Sequence, residues 1–370
     1  MKINLQLTAI AALLGISGIA QAALTTSTSA VNFSGSASVT ATASSASTAT
    51  ANNNGATIAT VSLGQFDSSL GVLTGTNITL NSDRTQSISG AGNKNQGPGR
   101  TANGSGTSTA ALSAPGVTTS YTPAITVSGS GCGLAMGPTS SSCSWGPSTS
   151  NVTTPDSTES VSSGSLNSYV GNGTVNAALT LPNLSATSTL TTTMGGASQS
   201  VSTYTVGWSG SLKANYSYLL HALASFDGSS SSSTLTLDFG NVAQNSTAAL
   251  AFSLYNLGNA DRIGLDLDSV SANGDTSAFS SDLATFANLA QGGSQAFVAN
   301  LLTTNVGAFS AQYLLNLSDA DFGASSTRQN HQLTLNLIGN VTAVPLPGAV
   351  WLFGSAFMGL LGVSRRKQSA

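Results

Sequence analysis

The chain has 370 residues, of which 6% are charged, with 10 basic and 13 acidic side chains and a net charge of -3. Nucleic-acid binding depends on clustered Lys and Arg that neutralise phosphates, and so sparse and net-negative a chain offers no such cluster in its body. Long amphipathic helices are nearly absent from the body as well: Ser, Thr, Gly, Ala and Asn dominate, and Val, Ile and Leu recur in alternation, the pattern of all-β structure with hydroxyl-rich solvated faces.

Residues 1–22 have the make-up of a secretory signal peptide. Lys2 supplies the basic start and Leu5 to Ile19 the apolar stretch, while Ala20-Gln21-Ala22 forms a small-x-small site that places signal peptidase cleavage before Ala23. Thr8, Gly15, Ser17 and Gly18 interrupt the apolar stretch, which argues against a permanent membrane helix. The region that follows is expected to be exported. From Ala23 to Ala343 its basic residues are Arg84, Lys94, Arg100, Lys213, Arg262 and Arg328, and it holds all 13 acidic ones.

Residues 23–227 read as a Ser/Thr/Gly-rich β domain. Alternation is visible over Val31 to Thr42, Ala56 to Leu63, Gly75 to Leu80, Val117 to Val127, Thr174 to Leu181, Gln199 to Gly207 and Gly210 to Leu219. Turn-forming Gly, Ser and Asn separate these stretches, which predicts an antiparallel sandwich or barrel-like sandwich. Asn93 to Thr109 is so poor in apolar residues that it reads as an exposed, mobile loop. Cys132 and Cys143 are the two cysteines of the chain. In an oxidising compartment they are expected to pair, closing the loop between them for ~3 kcal/mol. The alternatives, a redox pair or half of a metal site, have neither a Cys-x-x-Cys spacing nor a nearby histidine in their favour. Leu63-Gly64-Gln65-Phe66-Asp67, the following Leu70-Gly71-Val72-Leu73-Thr74-Gly75, and Tyr169-Val170-Gly171-Asn172-Gly173-Thr174-Val175 resemble the choice-of-anchor E domain, an extracellular module. That resemblance implies a domain type and no reaction.

Residues 228–233, Gly228 followed by five serines, read as a flexible linker. Beyond it, residues 234–343 carry the alternation of an immunoglobulin-like sandwich. Leu235, Leu237 and Phe239 share one strand face, as do Leu250, Phe252 and Leu254; Phe297, Ala299 and Leu301; Tyr313, Leu315 and Leu317; and Leu333, Leu335 and Leu337. The succession Leu237-Asp238-Phe239-Gly240-Asn241-Val242, Asn256-Leu257-Gly258 and Val306-Gly307-Ala308-Phe309-Ser310 resembles choice-of-anchor D and related immunoglobulin-like modules. Asp266, Asp268 and Asp275 are calcium candidates, because a hard cation needs several oxygens converging on one point. The plainer reading of Asp266 and Asp268 is a solvated strand face opposite Leu265 and Leu267, and no metal site or cofactor is assigned. His221 and His331, the two histidines, have no Gly-x-Ser-x-Gly elbow near them, so no acid, base or nucleophile is assigned. Trp145 and Trp208 read as core or loop packing, with stacking on sugars, as an adhesin would require, as the alternative.

The last stretch, residues 344–370, has three parts in a fixed order. Val344-Pro345-Leu346-Pro347 precedes an uncharged apolar run, Ala349 to Val363, which is followed by Arg365, Arg366 and Lys367. A helix over Ala349 to Val363 reaches about 22 Å at ~1.5 Å per residue, short of a hydrocarbon core of about 30 Å. The basic cluster stays on the cytoplasmic side, so the rest of the chain lies across the membrane. The two readings are a single-pass tail anchor and a processed sorting signal. The order of these parts resembles the PEP-CTERM sorting signal of Gram-negative bacteria in its Val-Pro-Leu-Pro variant, with Gly348 standing where that variant usually has Ala. The resemblance implies recognition by an exosortase and delivery to the cell surface or an exopolysaccharide matrix. The expected product is a structural or interaction protein, not an enzyme; a carbohydrate- or calcium-dependent adhesin is the alternative.

Overall fold

The computed structural model describes residues 23–45, 47–192, 198–258, 261–344 and 352–359. They form two units, the first comprising Met1–His221 with Asp321–Arg328 and the second Ala222–Ala320 with Gln329–Ala370. Both are built of strands, as the composition requires.

The strands of the first unit are β1 (Leu24–Ser27), β2 (Val31–Ser44), β3 (Thr48–Asn52), β4 (Ala56–Gly64), β5 (Val72–Lys94), β6 (Arg100–Ala114), β7 (Val117–Ser128), β8 (Cys132–Leu134), β9 (Ser141–Ser160), β10 (Thr174–Leu181), β11 (Leu184–Thr192) and β12 (Ser198–Leu219). In one sheet β12 pairs along its length with β5, which pairs in turn with β9, while β1 and β2 share the other edge of β12. The second sheet is centred on β6. One edge of β6 carries β11 and β10, backed by β3 and β4, and the other carries β7 and β8. Alternation makes such long strands possible: from Leu80 on, Ser82, Arg84, Gln86 and Ile88 are buried along β5 in the phase of Ile78, while Asn81, Asp83 and Thr85 between them are exposed. Phe33, Leu80, Ile88, Val206 and Leu212 of the first sheet and Val61, Leu63, Leu112 and Leu179 of the second join in one core cluster.

The loop expected over Asn93 to Thr109 does not exist; β5 continues to Lys94 and β6 begins at Arg100. Its apolar poverty has a packing cause. Ala102, Gly104, Gly106 and Ser108 face inward, and the space above them is filled from β12. A Cβ on Gly106 would lie 2.1 Å from the Tyr204 ring, and one on Gly104 2.2 Å from Ser202 Oγ. Gly106→Ala is therefore expected to lower the unfolding free energy by about 1–3 kcal/mol through overpacking. Urea denaturation reads this directly, and an unchanged midpoint would contradict the close approach.

The second unit contains β13 (Ala224–Ser225), β14 (Thr234–Ala243), β15 (Ala249–Asn256), β16 (Leu265–Gly274), β17 (Phe279–Ser281), β18 (Phe286–Leu289), β19 (Ser294–Leu301), β20 (Gly307–Asp319) and β21 (Asn330–Thr342). They form a four-stranded sheet in the order β13-β15-β19-β17 and a five-stranded one in the order β14-β21-β20-β16-β18. Phe297, Ala299, Leu301, Leu315, Leu317, Leu333, Leu335 and Leu337 are buried, as their alternation requires. One pairing departs from the antiparallel expectation: β14 lies parallel to β21, with Thr234 opposite Thr334. Parallel partners need a long crossover, and these two strands stand at opposite ends of the unit's sequence.

The serine run at 228–233 is not the boundary, and it is not a free linker. Ala222, Ala224 and Phe226 are buried, and the Phe226 ring lies 6.4 Å from that of Phe252 in the second unit. Asp227 Oδ1 accepts from the backbone N–H and hydroxyl of Ser229, both at 2.7 Å, and from Ser230 N–H at 3.1 Å. These bonds pull its carboxyl below the usual range, the Ser229 hydroxyl foremost. Ser225 Oγ donates to Ser230 O and accepts from Ser232 N–H, so the run is a hydrogen-bonded turn.

Asp321–Arg328 leaves β20 and returns to β21, yet belongs to the first unit. Ala324 is buried in the first core cluster, its N–H donating to Leu73 O at 2.8 Å, and Thr327 Oγ1 accepts from Leu73 N–H at 3.1 Å. Asn167 closes the contact, donating to Ser325 Oγ and accepting from Ser326 N–H and Oγ.

Candidate functional site

Of the expected processing signals, Ala20 and Ala22 lie outside the described residues, and Ala23 is exposed just before β1. Val344, 56% exposed, follows β21. Pro345, Leu346 and Pro347, and likewise Arg365, Arg366 and Lys367, lie outside the described residues. Within the expected segment from Ala349 to Val363, residues 352–359 are helical and exposed. Among the described residues no helix is long and apolar enough to cross a membrane.

Cys132 and Cys143 form a disulfide with their Cα atoms 5.9 Å apart. Pairing with β6 and β5 brings the cysteines together: Cys132 stands opposite Ala102 and Cys143 opposite Gly92. The bridge packs against a small cluster of Ala43, Ala102, Leu134 and Leu190.

The calcium candidates do not converge. Asp266 Oδ1 accepts from Asn288 N–H at 2.6 Å, and Asp275 Oδ2 from Ser310 N–H at 2.9 Å. Asp268 is exposed and is the extra residue of a bulge, since Leu267 pairs with Leu317 and Ser269 with the next residue back, Asn316. It therefore does not continue the strand face of Asp266. Among the described residues no three His, Cys, Asp or Glu side chains gather as a metal would require. The sugar-stacking candidates are core residues: Trp145 is 5% and Trp208 3% exposed, the latter edge-on to Phe33.

His221 Nε2 lies 3.0 Å from Ser68 O. His331 Nε2 lies 3.2 Å from Asp319 Oδ1, but that buried carboxylate is occupied with the backbone. Its Oδ1 accepts from Ala222 N–H and its Oδ2 from Gln329 N–H, both at 2.8 Å, which fixes the two chain segments that meet there. Two hollows open on strand faces. One of ≈ 400 Å³ is lined by Asn93, Ser142, Cys143 and Gln199, and one of ≈ 320 Å³ by Asn273, Gln312, Asn336 and Ile338. Neither has a titratable side chain among its described lining residues.

The densest polar chemistry lies inside the first unit, where it was not expected. Gln86 Oε1 accepts from Ser108 Oγ at 2.9 Å and from the Tyr204 hydroxyl, which also donates to Ser108 Oγ at 3.1 Å. Farther along, Ser188, Ser200 and Ser202 bond through their hydroxyls at 2.9 Å. Burial pushes the Tyr204 pKa up, opposed by the Ser108 bond and by Arg84. Burial also pulls the Arg84 pKa down, and Tyr204 opposes that shift. A sequence signal existed: Ser82, Arg84 and Gln86 keep the phase of Ile78, Leu80 and Ile88, so one alternating strand buries all six.

Neither a protein-family model nor a curated protein sequence matches the chain. Among solved structures it is similar to an ASH/PapD-like domain of human CEP192, with 15% identity, a TM-score of 0.24, and coverage of 30% of this chain and 82% of that one. It is also similar to the periplasmic chaperone SfaE, with 7% identity, a TM-score of 0.22, and coverage of 30% of this chain and 59% of that one. For the Vibrio cholerae protease VesB the identity is 12% and the TM-score 0.21, covering 35% of this chain and 37% of that one. Likeness at this level carries no statement about activity.

Proposed function

We propose that this is an exported structural or interaction protein of the surface, or of the exopolysaccharide matrix, of a Gram-negative bacterium. Signal peptidase acts before Ala23, and an exosortase sorts and processes the tail from Val344 to Ala370, whose apolar helix is in the inner membrane only transiently. The observation that carries the reading is the order of that tail, Val344 to Pro347, then Ala349 to Val363, then Arg365 to Lys367. The Cys132–Cys143 disulfide supports export, because such bonds persist in oxidising compartments. The adhesin alternative has less to rest on, since Trp145 and Trp208 are buried and Asp266, Asp268 and Asp275 stand apart.

Deleting Val344 to Ala370 is expected to move the protein from the surface to the periplasm or medium, read by fractionation and immunoblotting. Unchanged surface retention would overturn the proposal. Mass spectrometry of the native protein adds a second check, the expected mature form beginning at Ala23 and lacking the Arg365 to Lys367 cluster.

A further inference from the structure

Four Asn-Gly pairs occur in the chain, beginning at Asn54, Asn103, Asn172 and Asn273. Such a pair is prone to lose its side-chain amide, because glycine has no side chain to keep its backbone nitrogen away from the amide carbon before it. In three of the pairs the fold opposes that approach. Gly55 N–H donates to Leu181 O at 2.9 Å while Asn54 Oδ1 accepts from Leu184 N–H at 3.1 Å, so nitrogen and amide are both committed elsewhere. Gly173 N–H donates to Gln65 Oε1 at 3.0 Å. Gly104 is buried inside β6 opposite Ser188, with no space for a ring to form, since a Cβ there would lie 2.2 Å from Ser202 Oγ.

Asn273-Gly274 differs. The pair ends β16, both residues are exposed, and both line the hollow of ≈ 320 Å³. Gly274 N–H donates to the side-chain Oδ1 of Asn273 itself, at 2.7 Å. The amide carbon is one bond beyond that oxygen, so nitrogen and carbon start near the ~3–3.5 Å of a near-attack arrangement. The partner strand holds the geometry. Asp275 N–H donates to Ser310 O at 2.7 Å, and Ser310 N–H donates to Asp275 Oδ2 at 2.9 Å. Gly274 itself has a φ of 86°, and a Cβ on it would lie 2.6 Å from Ser310 O, so the position requires glycine.

We propose that Asn273 is a self-modification site, losing its side-chain amide to attack by Gly274 ahead of the other Asn-Gly pairs of the folded chain. The Gly274 nitrogen gives its proton to solvent base and bonds to the Asn273 side-chain carbon. The bond from that carbon to Nδ2 breaks, and Nδ2 leaves as ammonia with a proton taken from water. Water then opens the five-membered imide at either carbonyl, giving aspartate or isoaspartate, with no oxidation or reduction. Either product puts a carboxylate two residues from Asp275 and makes anionic a hollow whose described lining residues carry no charge. Isoaspartate also lengthens the backbone by one carbon where β16 meets β20.

Peptide mapping by mass spectrometry tests this on the full chain kept in warm, mildly alkaline buffer, with a sample unfolded in urea as the reference. In the folded protein, conversion at Asn273 is expected to run roughly tenfold ahead of that at Asn54, Asn103 or Asn172, with isoaspartate among the products. In urea the four pairs are expected to convert at similar rates, because each asparagine is then followed by an unrestrained glycine. Conversion at Asn273 no faster than at the other three in the folded chain, or a preference for Asn273 that persists in urea, overturns the proposal. In Asn273→Gln the amide is expected to survive, since the ring would need a sixth member. Acid formation there at an undiminished rate would mean direct hydrolysis by water and would overturn the role of Gly274.

Discussion

Between pH 10 and pH 12 the first unit is expected to lose about 5 kcal/mol of stability from two tyrosines alone. Tyr169 is wholly buried and donates its hydroxyl proton to Pro115 O at 2.8 Å, and Tyr216, 2% exposed, donates to Gly64 O. Burial pushes each pKa from 10.0 up to about 12, and for Tyr216 the neighbouring Tyr169 pushes in the same direction. The sign follows from which state holds the proton more tightly. In the unfolded chain both phenols ionise near pH 10, while the folded chain keeps them neutral. Their contribution is thus fully present below pH 10 and is lost as the pH rises through about 12. Holding the proton a hundredfold more tightly in the folded state is worth about 2.7 kcal/mol per tyrosine. Tyrosinate absorbance followed together with far-ultraviolet circular dichroism reads the outcome. These two phenols should ionise only as strand signal is lost, whereas ionisation of every tyrosine near pH 10 with the fold intact would contradict the assignment.

Asn256→Ala is expected to cost the second unit about 3–6 kcal/mol. The side chain is fully buried at the end of β15 and makes three bonds to backbone of three separate chain segments. Its Oδ1 accepts from Leu223 N–H at 3.0 Å, and its Nδ2 donates to Ile263 O at 2.9 Å and Leu289 O at 3.1 Å. Truncation leaves one donor and two acceptors enclosed and unmet, at about 1–3 kcal/mol each. Against a typical total of 5–15 kcal/mol this is enough to populate the unfolded unit. Chemical denaturation of the variant should show a separate early transition for the second unit. A loss below about 1 kcal/mol would mean that water reaches these groups and the three bonds carry little.

The strands were legible wherever side chains alternate in size and polarity. Phe297, Ala299 and Leu301 announce β19, and Leu333, Leu335 and Leu337 announce β21. The start of β6 was not legible, because its inward residues are Gly104 and Gly106, and the bulk that packs there belongs to Tyr204 and Ser202 on another strand. Trp145 reads as packing and is buried, but what makes room for it was not legible, for a related reason. It is nearly enclosed because a Cβ on Gly90 or Gly129 would fall within 2.4 Å of its ring, so glycines far away in sequence make room for it. Buried polar residues escaped for the opposite cause: Arg84 and Gln86 look like solvent-facing positions until the phase of β5 is known. The disulfide could be anticipated from compartment and number alone, without any knowledge of the sheet that brings its cysteines together.

The placement of Asp321–Arg328 in the first unit sets a timetable for a chain made from its N-terminus. Leu73 waits for Ala324 and Thr327, and β14 waits for β21, so neither unit can be completed until the ribosome has passed residue 328. Contacts of such long sequence separation fold slowly and leave strand edges open in the meantime. A nascent chain of this protein therefore remains unfinished for almost the whole of its synthesis.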